Sequence, residues 1–420
     1  MPEPRSIAAP ALCLLLAGVS APALADGLVA ADGGFTRDGA AYGGVGVNYY
    51  DGFLRHLRDG NDTSFVAGLQ GLAESDIPFA RFNAGGFRTN DWTLYRNDPA
   101  AYFERMDRFF DAAADAGVDL VPSLFWTADG IAALNGDTPD AWNDANSATR
   151  AFARQYAADV TSRYAAHPAL LMWEFGNEFN LQQDLPVTAN RPASDIISSD
   201  GIRAALAEFT GIVRQNDPTT AISSGHSVSR AAAQNLRETG QFGTRDTAEQ
   251  FRQITTADHA GVDVLSVHAY YQNTLGNSPN EGDTATSQRF RPDNAAGYGD
   301  VLAELMTVSD ATGKPLFVGE FGVADDFTHP VPGFVGEPTT EDRLTFLLDE
   351  IIAAEVPLSA VWVYDRVLVQ DPTFNITTDG DRAYQLGLIA DANRRVQQAI
   401  PEPASALTLL AGAALLRRRR

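Results

Sequence analysis

The stretch Leu170-Leu-Met-Trp-Glu-Phe-Gly-Asn-Glu178 decides the fold. Its first seven residues form an apolar run that only Glu174 interrupts, and two polar residues follow the glycine. A short apolar run of this kind is typical of a parallel β-strand that is buried on both faces. A carboxylate at the tip of such a strand is costly unless it is exposed, paired or used. We therefore predict a parallel strand here, with Glu178 as a candidate functional residue at its carboxyl end.

Seven further runs of the same character complete a set of eight. The predicted strands are Gly43–Tyr49, Pro78–Asn83, Val118–Phe125, Leu170–Gly176, Thr220–Gly225, Val262–Tyr270, Pro315–Phe321 and Leu358–Tyr364. Amphipathic helical patterns follow most of them, with apolar residues at three- and four-residue spacing in Asp98–Gly117, Phe152–Ala165 and Glu341–Ala354. Alternating strands and helices predict a parallel α/β sheet, and eight such units predict a single-domain (β/α)₈ TIM barrel.

Three segments lie outside this alternation. Leu28–Ala41, with Asp38-Gly39 as its turn, is predicted to form a hairpin that closes the bottom of the barrel. Long polar stretches follow strand 4 (Leu181–Asp200) and strand 6 (Gln272–Asp300). Both follow the carboxyl ends of strands, where barrel enzymes build their sites, so we expect them to be functional loops.

The charge balance restricts the possible ligands. The 420 residues contain 31 lysines and arginines against 54 acidic residues, a net charge of −23. Such a chain repels phosphate backbones, so we expect no nucleic acid partner. Neutral glycans are favoured over polyuronates, although a local arginine pocket could override the net charge. The acidity itself is typical of solubility, including solubility in salty water.

Both ends of the chain have the character of targeting signals. Residues 1–25 combine Arg5, an apolar stretch and a small-x-small cleavage site, which predicts a secretory signal peptide. Cleavage of this peptide would remove Cys13, the single cysteine, so the mature protein would have no disulfide or thiolate site. The catalytic domain is then expected at 26–400.

Residues 401–420 run from Pro401-Glu-Pro403 through an apolar stretch to the terminal Arg417–Arg420. The apolar stretch is shorter than the roughly 20 residues of a membrane-spanning helix. This tail resembles the PEP-CTERM sorting signal of Gram-negative bacteria. That resemblance implies exosortase-type sorting machinery as a partner, secretion, removal of the tail and delivery to the cell surface or extracellular matrix. The alternative is a permanent tail anchor.

A second glutamate matches Glu178. Strand 7 ends in Gly319-Glu320-Phe-Gly322, so Glu178 and Glu320 would face each other across the top of the barrel. A retaining glycosidase needs such a pair about 5 Å apart, one carboxyl to protonate the leaving oxygen and one to attack the anomeric carbon. The alternative is two ordinary ion pairs at the barrel mouth.

The motifs Trp173-Glu-Phe-Gly-Asn-Glu178 and Gly319-Glu-Phe-Gly322 resemble the strand-4 and strand-7 signatures of clan A glycoside hydrolases, especially glycoside hydrolase family 5. The similarity extends roughly from Gly43 to Asn393. It implies Glu178 as acid/base, Glu320 as nucleophile and Asn177 as a hydrogen-bond partner of the sugar 2-hydroxyl. Glu174, inside its strand, is predicted to be structural, buried and paired.

Four further positions match the family. Arg81 ends strand 2, where the resemblance implies an arginine that contacts the nucleophile, keeps it ionised and lowers its pKa. On strand 6, the resemblance implies that Tyr270 bonds the nucleophile and that His268 bonds the acid/base or the substrate. Trp362 on strand 8 resembles the family's tryptophan platform under the sugar. The alternatives are a surface arginine, a structural histidine and a core tryptophan.

Strand 3 departs from the family pattern. Many family cellulases have a histidine near its end, whereas this chain has Pro122-Ser-Leu-Phe-Trp126, which argues against an ordinary endo-cellulase. Trp126 is a candidate for a sugar subsite. His226, at the end of strand 5, is a candidate for substrate contact, with a structural role equally open. Other candidates for sugar subsites are Trp92, Trp142, Tyr49 and Tyr50.

Together these features predict an enzyme that hydrolyses O-glycosyl bonds of a neutral β-linked polysaccharide or oligosaccharide by double displacement. β-Mannan is the first expectation, and β-glucan is the other. No metal and no organic cofactor is expected, and a monomer is favoured. Two alternatives remain, a transglycosylase that remodels exopolysaccharide and a non-catalytic glycan-binding surface protein.

Overall fold

A computed structural model describes residues 27–240, 244–271, 290, 297–327, 330–368 and 372–399. The predicted signal peptide (1–25), the predicted tail (401–420) and most of the predicted loop Gln272–Asp300 lie outside these residues. Within the described ranges, no helix is both long and apolar enough to cross a bilayer.

The described chain begins with a three-stranded antiparallel sheet: β1 (Val29–Ala31), β2 (Gly34–Arg37) and β3 (Ala40–Tyr42). The prediction of a single hairpin was therefore incomplete. Asp32-Gly33 makes a second turn like that of Asp38-Gly39, and all four residues have positive φ, as type I′ turns require.

This small sheet lies at the amino-terminal end of the barrel, as predicted. The Leu28 amide donates to the Leu171 carbonyl at 2.7 Å, and the Ala221 amide donates to the Leu28 carbonyl at 2.6 Å. Leu28 and Phe35 pack into an apolar cluster with Phe79, Val121 and other residues of the barrel strands. The barrel's lower opening is thereby filled with side chains.

All eight predicted barrel strands are present. They are β4 (Gly44–Asn48), β5 (Phe79–Asn83), β6 (Asp119–Phe125), β7 (Trp173–Gly176), β8 (Ile222–Ser223), β9 (Leu265–His268), β10 (Leu316–Phe321) and β11 (Leu358–Val361). Their order is β8-β7-β6-β5-β4-β11-β10-β9, with parallel pairing throughout. Between β8 and β9, the amides of Asp263 and Val264 donate to the Ile222 carbonyl at 3.0 and 3.2 Å. The sheet is thus a nearly closed (β/α)₈ barrel.

Helices surround this barrel. Their bounds are α1 (Gly52–Arg58), α2 (Ser64–Glu74), α3 (Thr93–Asn97), α4 (Pro99–Ala116), α5 (Ala128–Leu134), α6 (Ala148–Tyr164), α7 (Ser199–Asn216), α8 (Ala233–Thr239), α9 (Ala248–Asp258), α10 (Tyr298–Thr312), α11 (Thr340–Ala353) and α12 (Tyr384–Ala399). The three helices predicted from periodicity are α4, α6 and α11. In α4, Asp98 caps the first turn and Gly117 ends the helix in the left-handed conformation.

The polar stretch after β7 is ordered by short-range structure. It contains 3₁₀ turns at Phe179–Gln182 and Ala193–Asp195, and bridges join Gln183 to Ile197 and Thr188 to Arg191. This loop therefore forms a fixed part of the carboxyl-terminal face, on which the candidate site residues lie.

Candidate active site

Glu178 is held at the carboxyl end of β7 by its backbone. It has φ 54° and ψ 29°, a left-handed conformation that is uncommon for a side chain of this size. Its amide donates to the Gly225 carbonyl at 2.8 Å, and the preceding Asn177 amide donates to the Phe125 carbonyl at 3.1 Å. These bonds to the neighbouring strand ends aim the Glu178 side chain into the barrel mouth, where 30% of it is exposed.

Glu320 reaches the same opening from β10. It pairs in register with His268 of β9, and its carbonyl accepts from the Ala269 amide at 2.8 Å. Its side chain is only 7% exposed. A carboxylate oxygen of Glu178, one of Glu320 and a ring nitrogen of His268 lie within 4.8 Å of one another. The two predicted catalytic glutamates are therefore brought together, at the short separation that retaining glycosidases use.

The Arg81 guanidinium of β5 connects several site residues through hydrogen bonds. Its side chain is fully buried, and it donates to Glu174 at 2.7 Å, to Glu320 at 2.8 Å and to Asn177 at 2.9 Å. The alternative of a surface arginine was wrong. Because a buried guanidinium needs carboxylates and other acceptors around it, this strand-end arginine fixes the positions of three side chains at once.

The pKa of Glu320 is set by opposing effects. Burial raises this pKa, and the nearby charges of His268 and Arg81 lower it. Tyr270 lowers it further through the hydrogen bond that its hydroxyl donates to Glu320 at 2.9 Å. The pKa lies above its ordinary value because burial outweighs these contacts. The Arg81 charge lowers the pKa of Glu320, as predicted. The expectation that this pKa would lie below its ordinary value was wrong.

Asn177 and Glu174 occupy the positions expected from sequence. The Asn177 side-chain oxygen accepts from Arg81, and because a guanidinium only donates, the amide NH₂ must be directed away from Arg81. That leaves a donor for a ligand hydroxyl. Glu174 is fully buried and bonds Arg81 and the Ser223 hydroxyl, as its predicted structural role requires.

His268 lies between the two glutamates. Its Nδ1 is 3.2 Å from Glu178 and 3.5 Å from Glu320, and its side chain is fully buried. A Cβ atom at Gly319 would lie 3.1 Å from the His268 ring, so the glycine before Glu320 leaves room for this imidazole. Contact with the predicted acid/base was one of the two possibilities implied for this histidine.

An aromatic wall, formed by Tyr50, Trp126 and Trp362, borders the glutamates. The Trp126 and Trp362 rings stack with centroids 6.3 Å apart, and Tyr50 lies 4.7 Å from Trp126. Trp126 also covers the Arg81 guanidinium at 4.8 Å. Trp362 remains partly exposed, whereas Trp126 is 5% exposed and offers little surface. Trp362 is therefore the better placed of the two to support a sugar ring.

The structure buries four of the suggested side chains, so the predicted sugar contacts of Trp92, Trp142 and Tyr49 were wrong, and for His226 the structural alternative holds. Trp92 packs against Phe152 and Tyr156, and Trp142 packs against Phe175 and Phe179. The Tyr49 hydroxyl is inside the fold, where it donates to Asp365 at 2.8 Å. His226 is fully buried and contacts His259. Rings of this size serve the packing of helices on the barrel as readily as a sugar subsite.

Sequence reasoning missed two residues of the site. Asn48, at the end of β4, accepts from Arg81 at 2.8 Å and donates to the Gly319 carbonyl at 2.9 Å. A polar residue at the tip of an apolar strand was the available signal for it. Arg366 lies over the Trp362 and Tyr50 rings, at 5.3 and 5.4 Å, and no local pattern indicated that contact.

The cluster of Glu178, His268 and Glu320 also has the ligand types of a cation site. Its surroundings argue otherwise, since both oxygens of Glu320 already accept hydrogen bonds, one from Arg81 and one from Tyr270. A guanidinium 2.8 Å from the carboxylate would repel a metal ion. The arrangement is better suited to proton transfer and nucleophilic attack by the two carboxyl groups.

Comparison with known proteins gives a family match and a set of similar folds. The model of the cellulase family, glycosyl hydrolase family 5, matches residues 77–345. No curated protein has a matching sequence.

The similar solved structures include the endo-1,4-β-mannanase of Rhizomucor miehei (TM-score 0.61, 15% identity, 89% of this chain and 100% of that chain covered). The endo-β-1,4-mannanase of Thermotoga petrophila has a TM-score of 0.58 at 14% identity, covering 86% of this chain and 78% of that one. The exo-β-1,4-mannosidase of an Opitutaceae bacterium, strain TAV5, has a TM-score of 0.58 at 16% identity. The match covers 90% of this chain and 64% of that one. At 14–16% sequence identity, the similarity to these structures is evidence for the fold alone.

Proposed function

Because the chain belongs to the cellulase family, glycosyl hydrolase family 5, we propose that this glycoside hydrolase cleaves a β-linked glycan with retention of anomeric configuration. The observation that carries the proposal is the spacing of Glu178 and Glu320, whose oxygens approach within 4.8 Å. Inverting glycosidases need a wider gap, roughly 6.5–9.5 Å, to hold a water molecule between carboxylate and sugar. The close approach of the two carboxylates in this site supports the shorter spacing of retaining enzymes, about 5 Å.

The different surroundings of the two glutamates support their division of roles. Glu320 is nearly buried, accepts from Arg81 and Tyr270, and is held in one orientation as a nucleophile must be. Glu178 is more exposed, with 30% of its side chain accessible, so it can exchange protons with a leaving group and with water. In the first step Glu320 attacks the anomeric carbon while Glu178 protonates the departing oxygen. In the second, Glu178 takes a proton from the water that releases the sugar.

The sugar is best taken as mannose or glucose in a β-linked chain, with β-mannan the first candidate. Several structures of the same fold are named mannanases or mannosidases, and the Pseudomonas stutzeri structure is named an endoglucanase. The Trp362 face offers the flat apolar surface on which sugar C–H groups stack. Asn177 presents its amide NH₂ beside the glutamates, where it would bond the sugar 2-hydroxyl.

The proposed location is outside the cell. A polysaccharide too large to enter a cell requires a secreted enzyme, which agrees with the signal peptide predicted at 1–25. The tail at 401–420 would direct residues 26–400 to the surface or matrix through an exosortase-type machinery. Expression of the whole chain in a Gram-negative host, followed by terminal sequencing of the released protein, would locate both cleavage points.

The activity is tested by reducing-end release from β-mannan, glucomannan, cellulose derivatives and xylan. We expect residues 26–400 to cleave one of these polymers, with Glu320→Gln and Glu178→Gln each losing at least about a thousandfold in kcat. Glu104→Gln is the matched control, since Glu104 is an exposed carboxylate paired with Arg108 outside the site. Products longer than the substrate would instead identify the transglycosylase alternative. No release from any polymer by a folded protein would overturn the proposed function.

A further inference from the structure

A second polar feature lies on the same face as the glutamates. It is an open pocket of about 650 Å³, formed where α1, α3 and the 3₁₀ turn Thr89–Trp92 meet. Its polar lining consists mainly of three arginines, two asparagines and one aspartate: Arg58, Arg88, Arg105, Asn90, Asn97 and Asp91. We call it the arginine pocket. Three guanidinium groups in one pocket are unusual for a chain with net charge −23.

The single carboxylate of the pocket is already paired with Arg58. Asp91 accepts two bonds from Arg58, at 2.7 and 2.9 Å. It also accepts from the backbone amides of Phe87 and Arg88, at 3.0 and 2.7 Å. Asp91 therefore neutralises Arg58.

The other two arginines have no carboxylate of their own. Arg105 donates to the backbone carbonyls of His56 and Leu57, at the end of α1. Arg88 is exposed, and among the described residues no carboxylate forms an ion pair with its guanidinium or with that of Arg105. The pocket thus carries an excess of two positive charges, one on a side chain that is free to reorient.

Aromatic contacts connect the arginine pocket to the catalytic cleft. Phe87, next to Arg88 in sequence, lies 6.0 Å from Tyr50 of the aromatic wall. Burial raises the pKa of Tyr50 while the charges of Arg366 and Arg58 lower it, so both guanidinium groups are within electrostatic reach of that ring. The arginine pocket and the Arg366 guanidinium therefore both lie close to the aromatic wall that borders the glutamates.

We propose that the arginine pocket binds an anionic substituent, a carboxylate or a sulfate ester, on a β-glycan that occupies the cleft. This inference rests on the proposed function, because it is the cleft that brings the substituted sugar to the pocket. Arg88 supplies a planar pair of N–H donors that matches a carboxylate or sulfate, and Asn90 and Asn97 supply neutral hydrogen-bonding groups beside it. The enzyme would accept a neutral backbone at the glutamates and favour acidic decoration farther along.

The test measures binding without turnover. The inactive Glu320→Gln variant is titrated calorimetrically with mannopentaose and cellopentaose, each in neutral form, oxidised at C6 to the uronate, and sulfated at C6. We expect at least one charged form to bind about tenfold more tightly than its neutral parent at low ionic strength, with the gain largely lost in 1 M NaCl. The oxidised and sulfated forms distinguish a carboxylate from a sulfate ligand.

Substitutions test whether the arginine pocket causes the preference for charged oligosaccharides. In the Glu320→Gln background, Arg88→Ala should remove most of the preference and Arg88→Glu should reverse it, with affinity for the neutral oligosaccharides unchanged. Arg96→Ala is the matched control. Arg96 is an exposed arginine of α3 that bonds Asn135 and does not line the pocket, so the preference should persist. Unchanged melting temperatures would show that these exposed substitutions leave the fold intact.

The possible outcomes distinguish failure of the arginine-pocket proposal from failure of the proposed function. Equal binding of neutral and charged forms, or a preference that survives Arg88→Glu, overturns the arginine-pocket proposal while hydrolysis of a neutral polymer still stands. Failure of every oligosaccharide to bind, together with absence of hydrolysis, overturns the proposed function and this inference with it.

Discussion

At the residue scale, the charge on Glu320 governs the chemistry. Burial raises the pKa of this carboxyl above 4.5, despite the opposing effects of His268 and Arg81. In the proposed mechanism only the ionised form attacks the anomeric carbon, so kcat/KM should fall as pH falls through that raised pKa. We expect the acidic limb of the pH profile to lie at higher pH than an ordinary glutamate carboxyl would give.

Removing the hydroxyl of Tyr270 should move that limb further. The hydroxyl donates to Glu320 and lowers the pKa of its carboxyl, so Tyr270→Phe should shift the acidic limb of kcat/KM to higher pH. The measurement is a pH series on wild type and variant. Tyr298→Phe is the control, because its hydroxyl bonds the Ala269 carbonyl and does not contact either glutamate. A limb that stays in place or moves to lower pH would contradict this assignment.

The site residues differ in how well sequence could identify them. Glu178, Glu320 and Arg81 each stand at or near the end of an apolar strand, and the closed geometry of a barrel brings such positions together. The contact of Arg366 with Trp362, by contrast, depends on a loop conformation that no local pattern encodes. The burial of Trp92 and Trp142 depends on helix packing, and for that reason those two predictions were wrong.

At the element scale, the turn after β8 is the tightest constraint next to the site. Gly225 has φ +66°, and a Cβ atom there would lie 1.8 Å from the Gly176 carbonyl oxygen. The Gly225 carbonyl in turn accepts from the Glu178 amide. A side chain at this position would therefore displace the backbone that carries the predicted acid/base.

Alanine at two glycines should accordingly have opposite effects. Gly225→Ala should lower the free energy of unfolding by at least about 2 kcal/mol and also lower kcat, because strain and overlap occur together. Gly211→Ala should raise the free energy of unfolding by about 0.5–1 kcal/mol, since Gly211 lies in α7 and an added Cβ would have no atom within 4 Å. Urea denaturation and kcat report both effects. A tolerated Gly225→Ala would mean that this turn does not have the left-handed geometry.

The elements themselves were largely predictable. Buried parallel strands produce continuous apolar runs, and amphipathic helices produce a 3.6-residue period, so the eight strands and the helices α4, α6 and α11 could be located. Strand ends were less predictable. For example, β8 is confined to Ile222–Ser223 within the predicted Thr220–Gly225, because Gly225 already turns out of the sheet. The turn at Asp32-Gly33 had the same dipeptide signal as the one recognised at Asp38-Gly39.

At the scale of the whole molecule, the net charge of −23 should reduce stability in dilute buffer. Self-repulsion among excess carboxylates destabilises a compact state, and salt screens it over about 10 Å at 0.1 M. We expect the melting temperature of residues 26–400 to rise between 20 mM and 1 M NaCl. Potassium chloride at matched concentrations controls for the identity of the cation. A melting temperature that falls with salt would show that attractive ion pairs dominate.

Charge distribution could not be predicted as well as total charge. The total follows from composition, and it favoured a neutral substrate. The arginine pocket arises because α1, the residue before a 3₁₀ turn, and α4 place Arg58, Arg88 and Arg105 around one aspartate that is paired with Arg58. These residues are distant in sequence and have no shared motif, so the pocket could be recognised only in the folded chain.

The central claim is that Glu320 is the nucleophile of a retaining reaction. Its most direct test is mass spectrometry of the protein after incubation with activated 2-deoxy-2-fluoro β-mannosides and β-glucosides, which trap a glycosyl-enzyme. We predict one covalently bound sugar per chain, on the peptide containing Glu320, and none in Glu320→Gln. A sugar attached to another residue, or turnover that releases the inverted anomer without a trapped intermediate, would contradict the account.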